Sequence, residues 1–315
     1  MQKFITKLIF VLLFFIISCD PNEKSNNTNN TLPKKEKLQN SFKKYLNSIK
    51  VKKITSINTP YWNKVRKRKL VISFTPDSPP FCVKKNGKIE GFNHALAKII
   101  CKTLGIEPEL KILPLKDQLK SLLDGQVDII LAPMTRTAER ATQIAFSKPY
   151  YHVTQGVLLR RGNLFISKYN SASKKYVGKK VNNFFDLDCF KKLTIAVKAG
   201  SSNEMLCQMM FSKKDFKVKT YSTNDKAVKA LLNAKADAMV ADHTYVKVWS
   251  EINSQHFAAV AAITGKSTQD GLGIAIRKGD LDFLNWLNVL IDEIKGNSIL
   301  DTLKIQYIQN LSWLK

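Results

Sequence analysis

A chain of 315 residues, 44% of them apolar, is long enough for two packed cores, so two lobes of roughly 100 residues or more each are expected. Its formal charge of +26 comes from 51 lysines and arginines against 25 acidic residues, spread from Lys3 to Lys315 with no basic arm or repeated motif. That scatter argues against a nucleic-acid partner and leaves attraction to anionic lipid or cell-wall polymer as its use.

The N-terminus has the layout of a signal peptide over residues 1–18. Met1-Gln2-Lys3 and Lys7 give a basic start, Leu8 to Ile17 an apolar run, and Ser18-Cys19 follow. The run is too short for a comfortable membrane span. Ile16-Ile17-Ser18-Cys19 resembles the bacterial lipobox, in which signal peptidase II cuts before a cysteine that carries the lipid. The alternative is an ordinary secretory signal with an incidental cysteine. On the first reading, acyl chains on Cys19 anchor the protein through buried methylenes, and Asp20 resembles an inner-membrane retention signal. Residues 20–37 are mostly Asn, Ser, Thr, Lys and Pro with almost nothing apolar, a composition that cannot bury enough surface to fold and reads as a tether. Leu38, Phe42, Tyr45, Leu46 and Ile49 recur at helical spacing, so a short amphipathic helix closes the 19–60 segment, docked on the body or lying along the membrane.

The body begins near Tyr61. Leu70 to Phe74 reads as a strand ended by Pro76, Pro79 and Pro80, and Asn86-Gly87 as a hairpin turn. A helix over 94–104 stops at Gly105, followed by a strand at 109–113, a helix at 116–123 and a largely apolar strand at 127–132. The order then returns: strand 193–197, a helix from Ser202, strand 217–221, helix 225–233 and strand 238–241. This alternation predicts an α/β fold of two tandem lobes with a mostly parallel sheet in each. Cys82, Cys101, Cys189 and Cys207 contain no Cys-x-x-Cys, which argues against zinc. They can pair in three ways; Cys82 with Cys101 and Cys189 with Cys207 would stay within one lobe, and free buried thiols are the alternative.

Several segments stand in a telling order: Pro79-Pro80-Phe81, Gly91-Phe92, Leu123 to Ile130, Met134-Thr135-Arg136-Thr137-Ala138-Glu139-Arg140, and Phe146 to Tyr151. Ala196 to Ser202, Ala236-Asp237-Ala238, Asp242 and Gly273 to Gly279 continue it. Together they resemble the bacterial extracellular solute-binding proteins, family 3, which bind amino acids on the type 2 periplasmic-binding-protein (flytrap) fold. The resemblance implies a first lobe of residues 61–153, a second of 154–270, a return to the first over 271–315, and two crossover hinge strands. The hinges are expected near Thr154-Gln155-Gly156 and Thr268-Gln269-Asp270.

A free amino acid presents a carboxylate and an ammonium, so its site must supply a cation with donors and an anion. The resemblance places Arg140 on the carboxylate, where a planar guanidinium makes a two-pronged bond. Thr135 matches a ligand-contacting threonine. Thr137 has the spacing of a helix N-cap whose amides also favour an anion. Ser201 and Ser202 end a strand and open a helix, a second amide-rich anion site, and Asp242 matches the acceptor for the ammonium. Asp77 completes the ligand-binding set, while Asp128 and Asp237 read as structural. Where many members stack an aromatic ring on the ligand this chain has Ser78 and Leu115, with Thr75 in place of an aspartate and Pro133 in place of a glycine. Phe74, Phe81 or Tyr150 could replace that aromatic surface.

His94, His152, His243 and His256 have no metal-ligand spacing, and neither a nucleophile elbow nor a phosphate loop is present, so no catalytic residue, metal or cofactor is expected. The expected partners are an amino acid or similar small polar solute, an ABC permease with its ATPase, and the membrane through the lipid anchor, with the protein a monomer facing the periplasm or cell exterior. A cyclohexadienyl-dehydratase-like enzyme on the same fold and a ligand sensor for a membrane receptor are the alternatives. Cys19→Ala should release the protein from the membrane fraction or block its processing without altering its folding. Retention of the correctly cleaved variant would place the anchor elsewhere.

Overall fold

A computed structural model of the chain describes residues 35–49, 69–75, 77–161, 169–170, 175–176, 179–180, 193–211, 217–260 and 269–314. The expected signal peptide, Cys19, the tether up to Lys34, Cys189 and Thr268 lie outside the described residues. The first element, α1 (Lys35–Ser48), buries Phe42 and lays Tyr45 and Leu46, with Ile49 beyond it, against the main core. The helix read from the sequence therefore docks on the body. Docking supplies the tertiary contact that so short a helix needs.

β1 (Leu70–Phe74) is buried at every position, as a strand covered on both faces must be. β2 (Asp77–Ser78), β3 (Cys82–Lys85) and β4 (Lys88–Glu90) form a small antiparallel sheet. Asn86 and Gly87, with φ of 50° and 78°, make the tight turn that the Asn-Gly pair signals. α2 (Phe92–Leu104) stops where the left-handed Gly105 donates its N–H back to Cys101 and Lys102 carbonyls. β5 (Pro108–Ile112), α3 (Leu115–Leu123), β6 (Ile129–Ile130), α4 (Ala138–Ala141) and β7 (Ile144–Phe146) follow.

The ten-residue β8 (Tyr151–Arg160) then leads away, past the short strands β9 (Tyr169–Asn170), β10 (Lys175–Tyr176) and β11 (Lys179–Lys180). β12 (Thr194–Lys198), α5 (Ser202–Phe211), β13 (Lys217–Tyr221), α6 (Asn224–Leu232), β14 (Ala238–Asp242), α7 (His243–Ile252) and β15 (Phe257–Val260) repeat the first order. β16 (Gln269–Leu272) brings the chain back to β17 (Ala275–Arg277), α8 (Leu281–Gly296), α9 (Ile299–Lys304) and short helical turns to Trp313.

The fold is a two-lobe α/β one. One sheet runs β5-β1-β6-β17-β7 and the other β13-β12-β14-β8-β15. The sheets are mostly parallel, as expected: in each, four strands run in one direction and a single one, β17 or β8, placed next to the edge, runs against them. The physical reason lies in the connections. A helical crossover returns the chain in the same direction, whereas β8 and β17 enter their sheets without one.

Each lobe carries the same clip. Asp128, fully buried, accepts Val71 N–H at 2.9 Å, while its own N–H reaches Val71 O at 2.8 Å. Asp237 accepts Thr194 N–H at 2.8 Å and donates to Thr194 O at 2.8 Å. Both aspartates thus fasten a central strand to its neighbour, and Arg277 lies 3.3 Å from Asp128 as its counter-ion. This is the structural role read for them. Residues Tyr151–Thr154 of β8 pair with β16, and Gln155–Leu159 pair with β14, so one long strand and its antiparallel partner join the two sheets. Cys82, Cys101 and Cys207 are buried and form no disulfide, which removes both candidate pairings. Burial pushes the thiols of Cys101 and Cys207 up to about 12, so they behave as apolar core atoms.

Gly91 has φ 125°, and a Cβ there would lie 2.5 Å from Phe81 O. Gly91→Ala should therefore cost on the order of 2 kcal/mol or more, lowering Tm by several degrees. Gly87→Ala, strained (φ +78°) but with open space around its Cβ, should cost only about 1 kcal/mol. Thermal unfolding of the pair separates clash from strain.

Candidate ligand-binding cleft

The carboxyl ends of the parallel strands face each other across a cleft, the place where open α/β sheets bind ligands. Its walls are built from the loops after β1 and β6 on one side and from the starts of α5 and α7 on the other. The remaining cavity is ≈ 40 Å³. That is well below the volume of a small-molecule site, so this arrangement leaves little room for a solute.

Arg140 sits in α4, where Thr137 caps the helix by accepting Arg140 N–H at 3.2 Å. The guanidinium donates from Nη1 to Thr135 O at 2.8 Å and from Nη2 to Gly200 O at 2.7 Å. One side chain thus ties a loop of its own lobe to the opposite lobe. Thr135, 4% exposed, adds a second link: its Oγ1 lies 3.0 Å from Ser202 Oγ.

The opposing loop is organised by a reciprocal cap. Ser201 Oγ accepts Glu204 N–H at 3.2 Å and donates to Lys198 O at 2.6 Å, while the Glu204 carboxylate accepts Gly200 N–H at 2.7 Å. Gly200 has φ 71°, which turns the chain into α5.

Asp242 ends β14 and occupies the N-cap position of α7, yet its side chain makes no capping bond. Its Oδ1 accepts Asn203 Nδ2 at 3.1 Å instead. Burial pushes the hydroxyls of Tyr150 and Tyr151 up, and the negative charge of Asp242 raises both further.

Of the residues read from the sequence, Thr135, Arg140, Ser201, Ser202 and Asp242 come together in the cleft lining. Thr137 does not line it and acts on Arg140 through the cap. Asp77 lies in β2, with its side chain outside the described residues. Thr75, Ser78, Leu115 and Pro133, the positions that depart from the family pattern, all line the cleft. Thr75 Oγ1 accepts Gln118 Nε2 at 3.0 Å, so it is held as part of the wall. Phe81 supplies an aromatic face to the lining, packed edge-on to Tyr151 at 5.3 Å, whereas Phe74 and Tyr150 belong to the core.

Sequence reasoning missed Lys198, Asn203, Asn224, Thr244 and Tyr245. Lys198 is a lysine only 6% exposed at the carboxyl end of a central strand. An apolar run broken by one lysine just before Gly-Ser-Ser was the available signal. His243 is not part of the lining; burial, with the nearby Lys247, lowers its pKa and favours a neutral ring. Among the described residues no group of histidine, cysteine and acidic side chains could hold a metal.

Two α/β lobes, joined by paired strands and closing on a polar cleft, define a hinged solute-binding protein. The chain belongs to the bacterial extracellular solute-binding proteins, family 3, whose family model matches residues 70–310. It is 27% identical to the arginine-binding extracellular protein ArtP of Bacillus subtilis (strain 168), over 76% of this chain and 85% of that one. It is 27% identical to the glutamine-binding protein GlnH of the same organism, over 76% and 81%. A candidate binding component of an ABC transporter from Wolinella succinogenes DSM 1740, complexed with lysine, has a similar structure. The TM-score is 0.67 at 30% identity, covering 78% of this chain and 98% of that one. The ancestral amino-acid-binding protein AncCDT-1, a precursor of cyclohexadienyl dehydratase, matches with a TM-score of 0.65 at 26% identity, over 80% and 100%.

Proposed function

We infer that this protein captures an amino acid outside the cytoplasm and delivers it to an ABC permease and its ATPase. The observation that carries this reading is the placement of Arg140 and Asp242 in one closed cleft, a fork of donors and an anion matched to the two charges of an amino acid. Relatives named for arginine and glutamine and a similar structure holding lysine support the solute class. A guanidinium carries five donors, so Arg140 can take a carboxylate in two-pronged fashion when the lobes reclose on the solute. Ser201, Ser202 and the amides opening α5 face the same charge, Thr135 contributes its hydroxyl, and Asp77 belongs to the same set. Thr137 acts by holding α4 in place.

The protein works by binding and release rather than by turnover. Lobe 1 comprises residues 61–153 and 271–315, lobe 2 residues 154–270, and closure swings on β8 and β16. Residues 1–18 are a signal peptide, Cys19 carries the lipid, and the monomer faces the periplasm or cell exterior on its tether. Absence of prephenate or arogenate turnover, together with neighbouring genes for a permease and an ATPase, is the expected result against the enzyme and sensor readings.

A thermal-shift screen of the amino acids should find a ligand that adds roughly 2.7 kcal/mol of stability at 100 times its Kd. With that ligand, Arg140→Ala and Asp242→Asn should each cost about 2–5 kcal/mol of binding, because each strands a solute charge in a desolvated cleft. Arg140→Lys should bind poorly too, since a point charge cannot reproduce the fork. Calorimetry that finds binding intact in Asp242→Asn but lost in Arg140→Ala would point to a carboxylate without an amine.

A further inference from the structure

The first turn of α5 sets Asn203, 7% exposed, against the end of β14, where its Nδ2 donates to Asp242 Oδ1. An ionised carboxylate only accepts hydrogen bonds, so the NH₂ end of the amide must face it and Asn203 Oδ1 must turn away. That Oδ1 is buried and has no hydrogen-bond partner. Thr244 Oγ1, in the first turn of α7, is buried and unpartnered as well. Both residues line the cleft together with Asp242. A buried acceptor left without a donor is costly, and its persistence at a binding cleft points to a solute that supplies one.

We propose that Asp242, Asn203 and Thr244 form a three-acceptor cradle for an unsubstituted primary ammonium, with Asn203 also fixing the orientation of the Asp242 carboxylate. The proposal rests on the amino-acid reading of the cleft and adds two residues and a selectivity to it. A primary ammonium carries three N–H donors, and the end of β14 and the first turns of α5 and α7 present a matching number of acceptors. Each N-methyl group removes one donor, leaves one of those acceptors stranded and adds bulk to a cleft with little spare volume. A site built to hydrogen-bond a group rejects the analogue that lacks it far more strongly than a size mismatch would. Asn203 is thus a positioning residue as well as a contact, while Thr244 acts as a contact alone.

The test takes the amino acid that most stabilises the wild type among the twenty, together with its N-methyl and N,N,N-trimethyl forms. Calorimetry then compares wild type, Asn203→Ala, Thr244→Val and Asp242→Asn. The wild type should bind the N-methyl form at least about 10-fold more weakly and the trimethyl form about 10⁴-fold more weakly. Thr244→Val should lose about 10-fold for the primary amine while its N-methyl penalty shrinks toward unity; Asn203→Ala should lose about 30-fold. A purely structural role would weaken all three solutes alike and leave their ratios unchanged. Unchanged ratios in Thr244→Val, tolerance of N-methylation by the wild type, or proline as the strongest ligand would each overturn the cradle. The Arg140–Asp242 clamp would then still stand. Wild-type affinity in Asp242→Asn would overturn the clamp itself, and a panel in which no amino acid stabilises the protein would overturn both.

Discussion

Arg140 holds a carbonyl of each lobe at once, Thr135 O beside it and Gly200 O across the cleft. A planar fork with several donors can span two acceptors in that way, whereas a lysine ammonium offers only one point of charge. Much of the local design serves this reach. Thr137 caps the short helix that carries Arg140, and the left-handed Gly200 and the Ser201–Glu204 cap shape the loop that receives it. The contact between Thr135 and Ser202 closes the same seam a few residues away. Bonds of this kind exist only while the lobes are together, so opening must break them as a set, which makes the motion a switch between discrete arrangements.

The charge pattern inside the cleft follows from the same seam. Arg140, Lys198 and Asp242 line the same cleft, and Lys198 is buried there, where a charge is tolerable only with a partner and hydrogen bonds. Asp242 leaves its own helix uncapped and is held by Asn203 instead, so the start of the neighbouring helix α5 directs the carboxylate. The four positions where this chain departs from the family pattern all belong to the walls. Thr75 is bonded to Gln118 and Phe81 packs on Tyr151, so both side chains have fixed partners in those walls.

The two lobes solve one structural problem twice. Asp128 and Asp237 fasten equivalent strand starts by the same pair of backbone bonds, and each sheet has four strands in one direction with a single reversed strand inserted next to the edge. What distinguishes the halves is the connection. β8 lends its first residues to the pair with β16 and the rest to the second sheet, so the link between lobes is a continuous strand pair and not a loose linker. Gly156 lies at that junction, where a Cβ would sit 3.0 Å from the backbone of His243. The close packing of α7 on β8 depends on it.

Much of the fold was legible in the sequence because local physics writes it there. The buried run Leu70 to Phe74, the Asn86-Gly87 turn, the stop at Gly105 and the twofold alternation of strand and helix need only nearest neighbours to be read. Arg140 and Asp242 were legible through the resemblance to family 3, whose order of motifs carries them. Tertiary structure alone decided the rest. Whether Thr137 met a solute or capped Arg140, and whether Asp242 capped α7 or joined Asn203, depends on neighbours 3 and 39 positions away. The reversed sense of β8 and β17, each entered with no helix between, was likewise unreadable. Hydrophobic periodicity records how each segment meets the core; which polar atoms then meet across a closing cleft is set only when separate segments are brought together in space.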